Sequence, residues 1–303
     1  MRRPSARPGS CALLLAATAG CVAPGAAPPP APRALPAATV ASPPPAAPLP
    51  PPGRITLSGT PGQGALLLGT APPGTVRLTL DSTPLPVARD GRFLLAFDRD
   101  APARATLSAT LADGRTVSLP LTVPPRAWRI ERLDRVAKVP VPSADFARRR
   151  PGELARINAA RQIDSDAQGW RQRFIWPVTG RISGLFGSQR IYRGEPGAYH
   201  SGGDVARPTG TPVVAPADGV VTLAAEAPFT LEGNLLILDH GMGLNSAFLH
   251  LSRIDVAVGQ HVKQGQRIGS VGATGRASGA HLHWAMKWRQ ARIDPLLVAG
   301  AME

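Results

Sequence analysis

The chain has 303 residues, long enough for two domains and a sizeable buried core. Its net charge of +14 comes mostly from arginine, since Lys138, Lys263 and Lys287 are the only lysines; such a balance suits an anionic partner such as an envelope polymer, an acidic lipid surface or a nucleic acid. The only cysteines, Cys11 and Cys21, both lie near the N-terminus, which excludes a disulfide-stapled scaffold.

Residues 1–20 read as an export signal. Arg2, Arg3 and Arg7 supply its positive start, and residues 11–17 form an apolar run too short to span a bilayer permanently. Thr18-Ala-Gly-Cys21 then follows the pattern of a bacterial lipobox, with Thr18 where an aliphatic residue is usual. Cys21 is the expected lipid anchor, and ordinary cleavage near Ala23 or Ala26 is the alternative. Val22 in place of aspartate favours sorting to the outer membrane of a Gram-negative envelope. Export argues against nucleic acid as the partner. The expected location is the periplasm or cell envelope.

Residues 21–53 are almost entirely Pro, Ala, Ser and Val. Such a segment cannot build a core and extends as a polyproline II spacer at ~3.1 Å per residue.

Across residues 54–135 the pattern changes to short β-branched and leucine-rich runs, among them Val76-Arg-Leu-Thr-Leu80 and Phe93-Leu-Leu-Ala-Phe97. Asp90-Gly91 and Asp113-Gly114 fall between such runs as hairpin signals. The expectation is a small β-sandwich of immunoglobulin-like type. It contains no histidine and no catalytic constellation.

Residues 136–173 form a linker. Ser143-Ala-Asp-Phe146 reads as a helix start, and Leu154, Ile157 and Ala160 stand at helical spacing in a helix predicted over 152–166.

Residues 174–299 return to strand-like runs punctuated by glycine, with no helical periodicity of any length. The expected domain is mainly antiparallel β. Three stretches in it concentrate the chemistry: His200-Ser-Gly-Gly-Asp204, Phe248-Leu-His250, and Ala280-His281-Leu-His283-Trp284. Side chains alternate along a strand, so His281 and His283 face the same way. A catalytic zinc takes three protein ligands and leaves one position to water. Two imidazoles and a carboxylate meet that need, with imidazoles left over for proton transfer. Asp294, before Pro295, reads as a turn-forming acid. His240 and His261 read as a core and a surface histidine. Arg190, Tyr192 and Arg193, in the loop before His200, are candidates for contacting substrate carboxylates.

Taken in order, His200-x-x-x-Asp204, His250 and His281-x-His283 resemble the LytM/lysostaphin-type zinc metallopeptidases, which cut the cross-link peptides of peptidoglycan. Pro212-Val-Val-Ala-Pro-Ala-Asp-Gly219, Asp239-His-Gly241, Gly269-Ser-Val-Gly-Ala-Thr-Gly275 and Ile293-Asp-Pro295 extend the resemblance over roughly 174–298. It implies that His200, Asp204 and His283 bind zinc and that His250 and His281 act on the bound water and the tetrahedral intermediate. It also implies peptidoglycan as the partner. One departure is Leu249, near which the family frequently has a tyrosine. Some relatives of this fold have lost their ligands and activate cell-wall amidases instead; here the ligand set is complete. A structural zinc site in a lipid-anchored scaffold would need a fourth protein ligand, and none is evident.

Overall fold

A computed structural model describes residues 50–135, 143–225 and 227–302, together with Gly25. The export signal, Cys21 and most of the proline-rich segment lie outside the described residues. Pro50–Glu303 forms one compact unit.

Eight short strands come first: β1 (Thr56–Ser58), β2 (Leu66–Thr70), β3 (Thr75–Leu80), β4 (Thr83–Leu85), β5 (Arg92–Ala96), β6 (Arg104–Leu111), β7 (Thr116–Thr122) and β8 (Ile130–Leu133). They build a three-stranded sheet, β1-β2-β5, and a four-stranded sheet, β4-β3-β6-β7, both antiparallel. Alternation along β6 turns Leu107, Ala109 and Leu111 inward. They join Leu67, Phe93 and Leu95 of the other sheet in burial. Asp113-Gly114 closes the β6–β7 hairpin, with Leu111 N–H donating to Arg115 O at 2.8 Å. Asp90-Gly91 makes a tight turn but no hairpin: it carries the chain from β4 in one sheet to β5 in the other. The dipeptide specifies the local turn, while the burial of Phe93–Phe97 decides which sheet the next strand joins.

Helix α1 (Ala144–Gln162) starts where Ser143 caps the Phe146 N–H. The two helical signals in the sequence are one helix, with Pro151 inside it giving up a single backbone bond. It ends at Gln162 rather than Asp166, because the chain beyond turns Ser165 N–H (2.8 Å) and its hydroxyl onto the buried Asp239 carboxylate. Glu153, Ile157 and Ala160, spaced along one face, are its buried residues.

The remaining elements are β9 (Arg181–Gly184), β10 (Gln189–Tyr192), β11 (Glu195–Pro196), β12 (Gly203–Ala206), β13 (Pro212–Val214), β14 (Gly219–Ala224), β15 (Asn234–Asp239), β16 (Leu244–Leu251), β17 (Arg253–Ile254), β18 (His261–Val262), β19 (Arg267–Ser270), β20 (His281–Trp288), β21 (Ala291–Ile293) and α2 (Pro295–Ala299). The main sheet runs β18-β14-β15-β16-β20-β12-β9, with β21 added to β20, and every pairing in it is antiparallel. A smaller sheet is β13-β19-β17. The main sheet is buried on both faces. Leu236, Leu238, Phe248, Trp284 and Met286 enter the larger core, while Leu235, Ile237, Ala247 and Ala285 pack with Ile157 and Ala160 of α1.

The N-terminal sheets are joined closely to this domain. β8 leaves them and pairs in parallel with β10. Buried Arg99 donates to Gly187 O (3.0 Å) and Gln189 Oε1 (3.1 Å) and lies over the Trp128 and Tyr199 rings. Asp294 caps the one-turn α2, a helix too short to register as periodicity, and its second oxygen accepts from Arg126 Nη1 at 2.8 Å.

Candidate metal centre

Three side chains converge from two neighbouring strands and the loop before them. Asp204 on β12 lies directly across from His283 on β20. His200 precedes β12, held by Gly187 N–H to its carbonyl and by its own N–H to Ser188 O, each 2.8 Å. His283 Nδ1 lies 2.8 Å from Asp204 Oδ1, and His200 Nε2 lies 3.0 Å from both. One potential ligand atom from each of the three lies within 4.8 Å of the other two. Two nitrogens and an oxygen that turn lone pairs on one point suit a cation placed among them.

Three of the four imidazoles, all but His283, are oriented from behind by a backbone carbonyl. His200 Nδ1 bonds Leu185 O (3.1 Å), His250 Nδ1 bonds Thr274 O (2.8 Å) and His281 Nδ1 bonds Gly279 O (2.8 Å). In the neutral rings this places the proton on Nδ1 and leaves Nε2 as the free acceptor. His281 Nε2 is 3.9 Å from Asp204 Oδ1. The His250 ring centroid is 4.8 Å from that of His281 and 6.3 Å from that of His283. All five residues named in the sequence therefore meet at one place.

His250 reaches it by an irregularity. Leu249 pairs with His283 on the face shared with the site, so strict alternation would send His250 to the opposite face. A register shift between β15 and β16 and a φ of 62° at His250 re-aim its ring.

Burial weighs most heavily against ionisation of Asp204, yet its bonds to His200 and His283 outweigh it and hold the carboxyl well below the usual range. Burial also opposes protonation of His200, but the Asp204 and Leu185 contacts raise its pKa. Burial lowers that of His283 and pushes His250 down to about 4.

Space for the cluster comes from glycines. Gly184 on β9 stands opposite Asp204. A Cβ on Gly202 would lie 2.7 Å from His283 Nε2. Gly202, between His200 and Asp204, is legible in the sequence as a break in helical spacing, but its closeness to His283 is not; Leu185, Thr274 and Gly279 carry no signal, because every residue type offers the same carbonyl. His240 is fully buried, bonding Asp218 O at 2.8 Å and Ser246 Oγ at 2.9 Å, while His261 is exposed. Arg190 pairs with Glu131 of β8 at 2.8 Å and Arg193 reaches the Arg135 carbonyl.

The fold and the site define a class: an antiparallel β domain carrying a His–Asp–His cluster, compatible with a metal ion, flanked by two further imidazoles. Residues 198–295 match the model of Peptidase family M23. It is 41% identical over 116 residues to peptidoglycan DD-endopeptidase ShyA of Vibrio cholerae, a match covering 38% of this chain and 26% of the relative. It is 36% identical over 132 residues to cell division protein DipM of Caulobacter vibrioides, covering 42% and 21%. The chain thus spans about a quarter of the length of the curated relatives it matches. A crystal structure from Pseudomonas aeruginosa described as peptidase M23 aligns with a TM-score of 0.60 at 28% identity, over 80% of this chain and 97% of that one.

Proposed function

We propose that the protein is a zinc-dependent endopeptidase that hydrolyses peptide bonds in peptidoglycan cross-links, acting in the cell envelope. One observation carries this reading: the ligand atoms of His200, Asp204 and His283 converge, with the His250 and His281 rings beside them. The names of relatives such as the DD-endopeptidase support the substrate class.

In this reading His200, Asp204 and His283 are the metal ligands, and the two-nitrogen, one-oxygen set suits zinc with a position open to water. When bound, zinc supplies an acidified water and a polarised scissile carbonyl. His250 stays neutral well below pH 7 because burial disfavours its charged form. Its Nδ1 is committed to Thr274 O, so Nε2 takes a proton during attack. His281, set the same way by Gly279 O, orients the water and steadies the tetrahedral intermediate. Ordering of both rings by backbone carbonyls keeps them positioned before substrate arrives.

The test is digestion of purified Gram-negative peptidoglycan, with chromatography of the released muropeptides beside chelator-treated protein and His283→Ala. Loss of cross-linked dimers with gain of monomers, abolished in both controls, is the expected result. Zinc-loaded protein that leaves the dimers intact would overturn the reading.

A further inference from the structure

Alternation along β20 puts His281, His283, Ala285 and Lys287 on one face of the main sheet. Helix α1 lies on that face, with Ile157 and Ala160 packed in one cluster with Ala247 and Ala285. The helix packs over Ala285, which lies between His283 and Lys287 along β20. Next to β20, on the β21 side, the Tyr199 hydroxyl donates to Asp98 Oδ1 (2.9 Å), and Arg292 Nη1 bonds the Tyr199 oxygen (3.1 Å). At ~3.3 Å per residue, Lys287 lies about 13 Å along the strand from His283.

This far end gathers three cations. Lys287 and Arg292 are directly opposite in the β20–β21 register. Arg161, in the last turn of α1, follows Ala160, which packs in one cluster with Ala285 on the Lys287 face of β20; burial first, then the Arg161 and Arg292 charges, disfavour the Lys287 charge. Two acids lie within reach, and both are engaged. Asp98 takes the Tyr199 hydroxyl and the Arg292 N–H (2.8 Å), and both oxygens of Glu232 are bonded by Arg150 at 2.7 and 2.8 Å. Arg161 Nε is buried without a hydrogen-bond partner among the described residues. A buried donor left in that state is unfavourable, and a guanidinium fork matches a planar carboxylate.

We infer that Arg161, Lys287 and Arg292 form a carboxylate subsite that holds an acidic group of the wall peptide about four extended residues from the scissile bond. The inference rests on the peptidase reading, since it takes the anion to be a carboxylate of that substrate. It also gives α1 a role in binding.

The experiment is calorimetric titration of metal-depleted full chain with a soluble cross-linked muropeptide and with the same compound after amidation of its carboxylates. Wild type binds the free acid tighter by about tenfold or more, as charged hydrogen bonds of this kind imply. Lys287→Gln narrows that preference, and the triple change Arg161→Gln, Lys287→Gln, Arg292→Gln abolishes it while amide binding is unchanged. Arg77→Gln, on exposed β3, keeps the full preference and controls for general charge. Equal binding of acid and amide by wild type would overturn the subsite, as would a preference that survives Lys287→Gln or falls equally in Arg77→Gln. Peptidoglycan digestion run in parallel separates the two readings: a failure there removes the peptidase assignment, while the acid–amide difference still decides the subsite.

Discussion

Gly184 and Asp204 face each other across β9 and β12, and a Cβ on Gly184 would overlap the Asp204 carboxylate. The strand next to the cluster is therefore shaped by the absence of a side chain. Gly184→Ala is expected to push the carboxylate off its bonds to His200 and His283. Support of this kind around a ligand is worth about 10–100-fold in metal affinity. Competition with a chromophoric chelator measures it; unchanged affinity would show that the carboxylate has room to shift without cost.

His250 and His283 should separate binding from chemistry. His283→Ala removes a proposed ligand and is expected to lose both the metal and hydrolysis. His250→Ala leaves all three proposed ligands in place, so it should retain metal while turnover falls by about 10²–10⁴-fold, the usual contribution of a positioned acid or base. Atomic absorption on dialysed protein together with muropeptide release distinguishes the two. Loss of metal in His250→Ala would place His250 among the ligands instead.

These two residues also mark where the sequence was readable and where it was not. His281 and His283 had to share a face because a strand has period two, and β20 places them so. His250 belonged to the same motif set, yet the strand rule alone sends its ring away from the site; only the left-handed turn at φ 62°, which no residue type there announces, brings it back. The orienting carbonyls of Leu185, Thr274 and Gly279 carry no side-chain signal. Long-range partners were equally hidden: the parallel pairing of β8 with β10 and the docking of α1 beside β20 depend on burial contributed by distant segments.

His240 should make stability depend on pH. It is fully buried, and burial pushes it down to about 4 from an ordinary 6.5. Between these values the unfolded chain binds a proton that the folded one refuses. Stability is therefore complete above pH 6.5 and lost as pH falls toward 4, by about 3 kcal/mol at one pH unit per 1.36 kcal/mol. His250, also held near 4, adds in the same direction in metal-free protein. Urea midpoints of metal-free protein from pH 7 to 4.5 should fall, and His240→Gln should flatten the slope while lowering the midpoint at pH 7. An identical slope in the variant would assign the acid sensitivity elsewhere.

Glu153 is the anchor by which α1 holds its place beside β20. Buried in the first half of the helix, its carboxylate accepts the Thr230 N–H at 2.8 Å and the Thr230 hydroxyl, and it pairs with Arg150 at 3.3 Å. Burial opposes its charge, but these bonds outweigh it and lower the pKa. Its contribution is accordingly present above the unfolded carboxylate pKa and lost as pH falls below it. Glu153→Ala would strand the Thr230 N–H, at about 1–3 kcal/mol for a buried donor left unmet. Glu153→Gln keeps one acceptor and should cost less. Hydrogen exchange resolved by segment tells anchoring from general stability: faster exchange concentrated in α1 is the expected result, and a uniform increase would show that the helix is held by Ile157 and Ala160 alone.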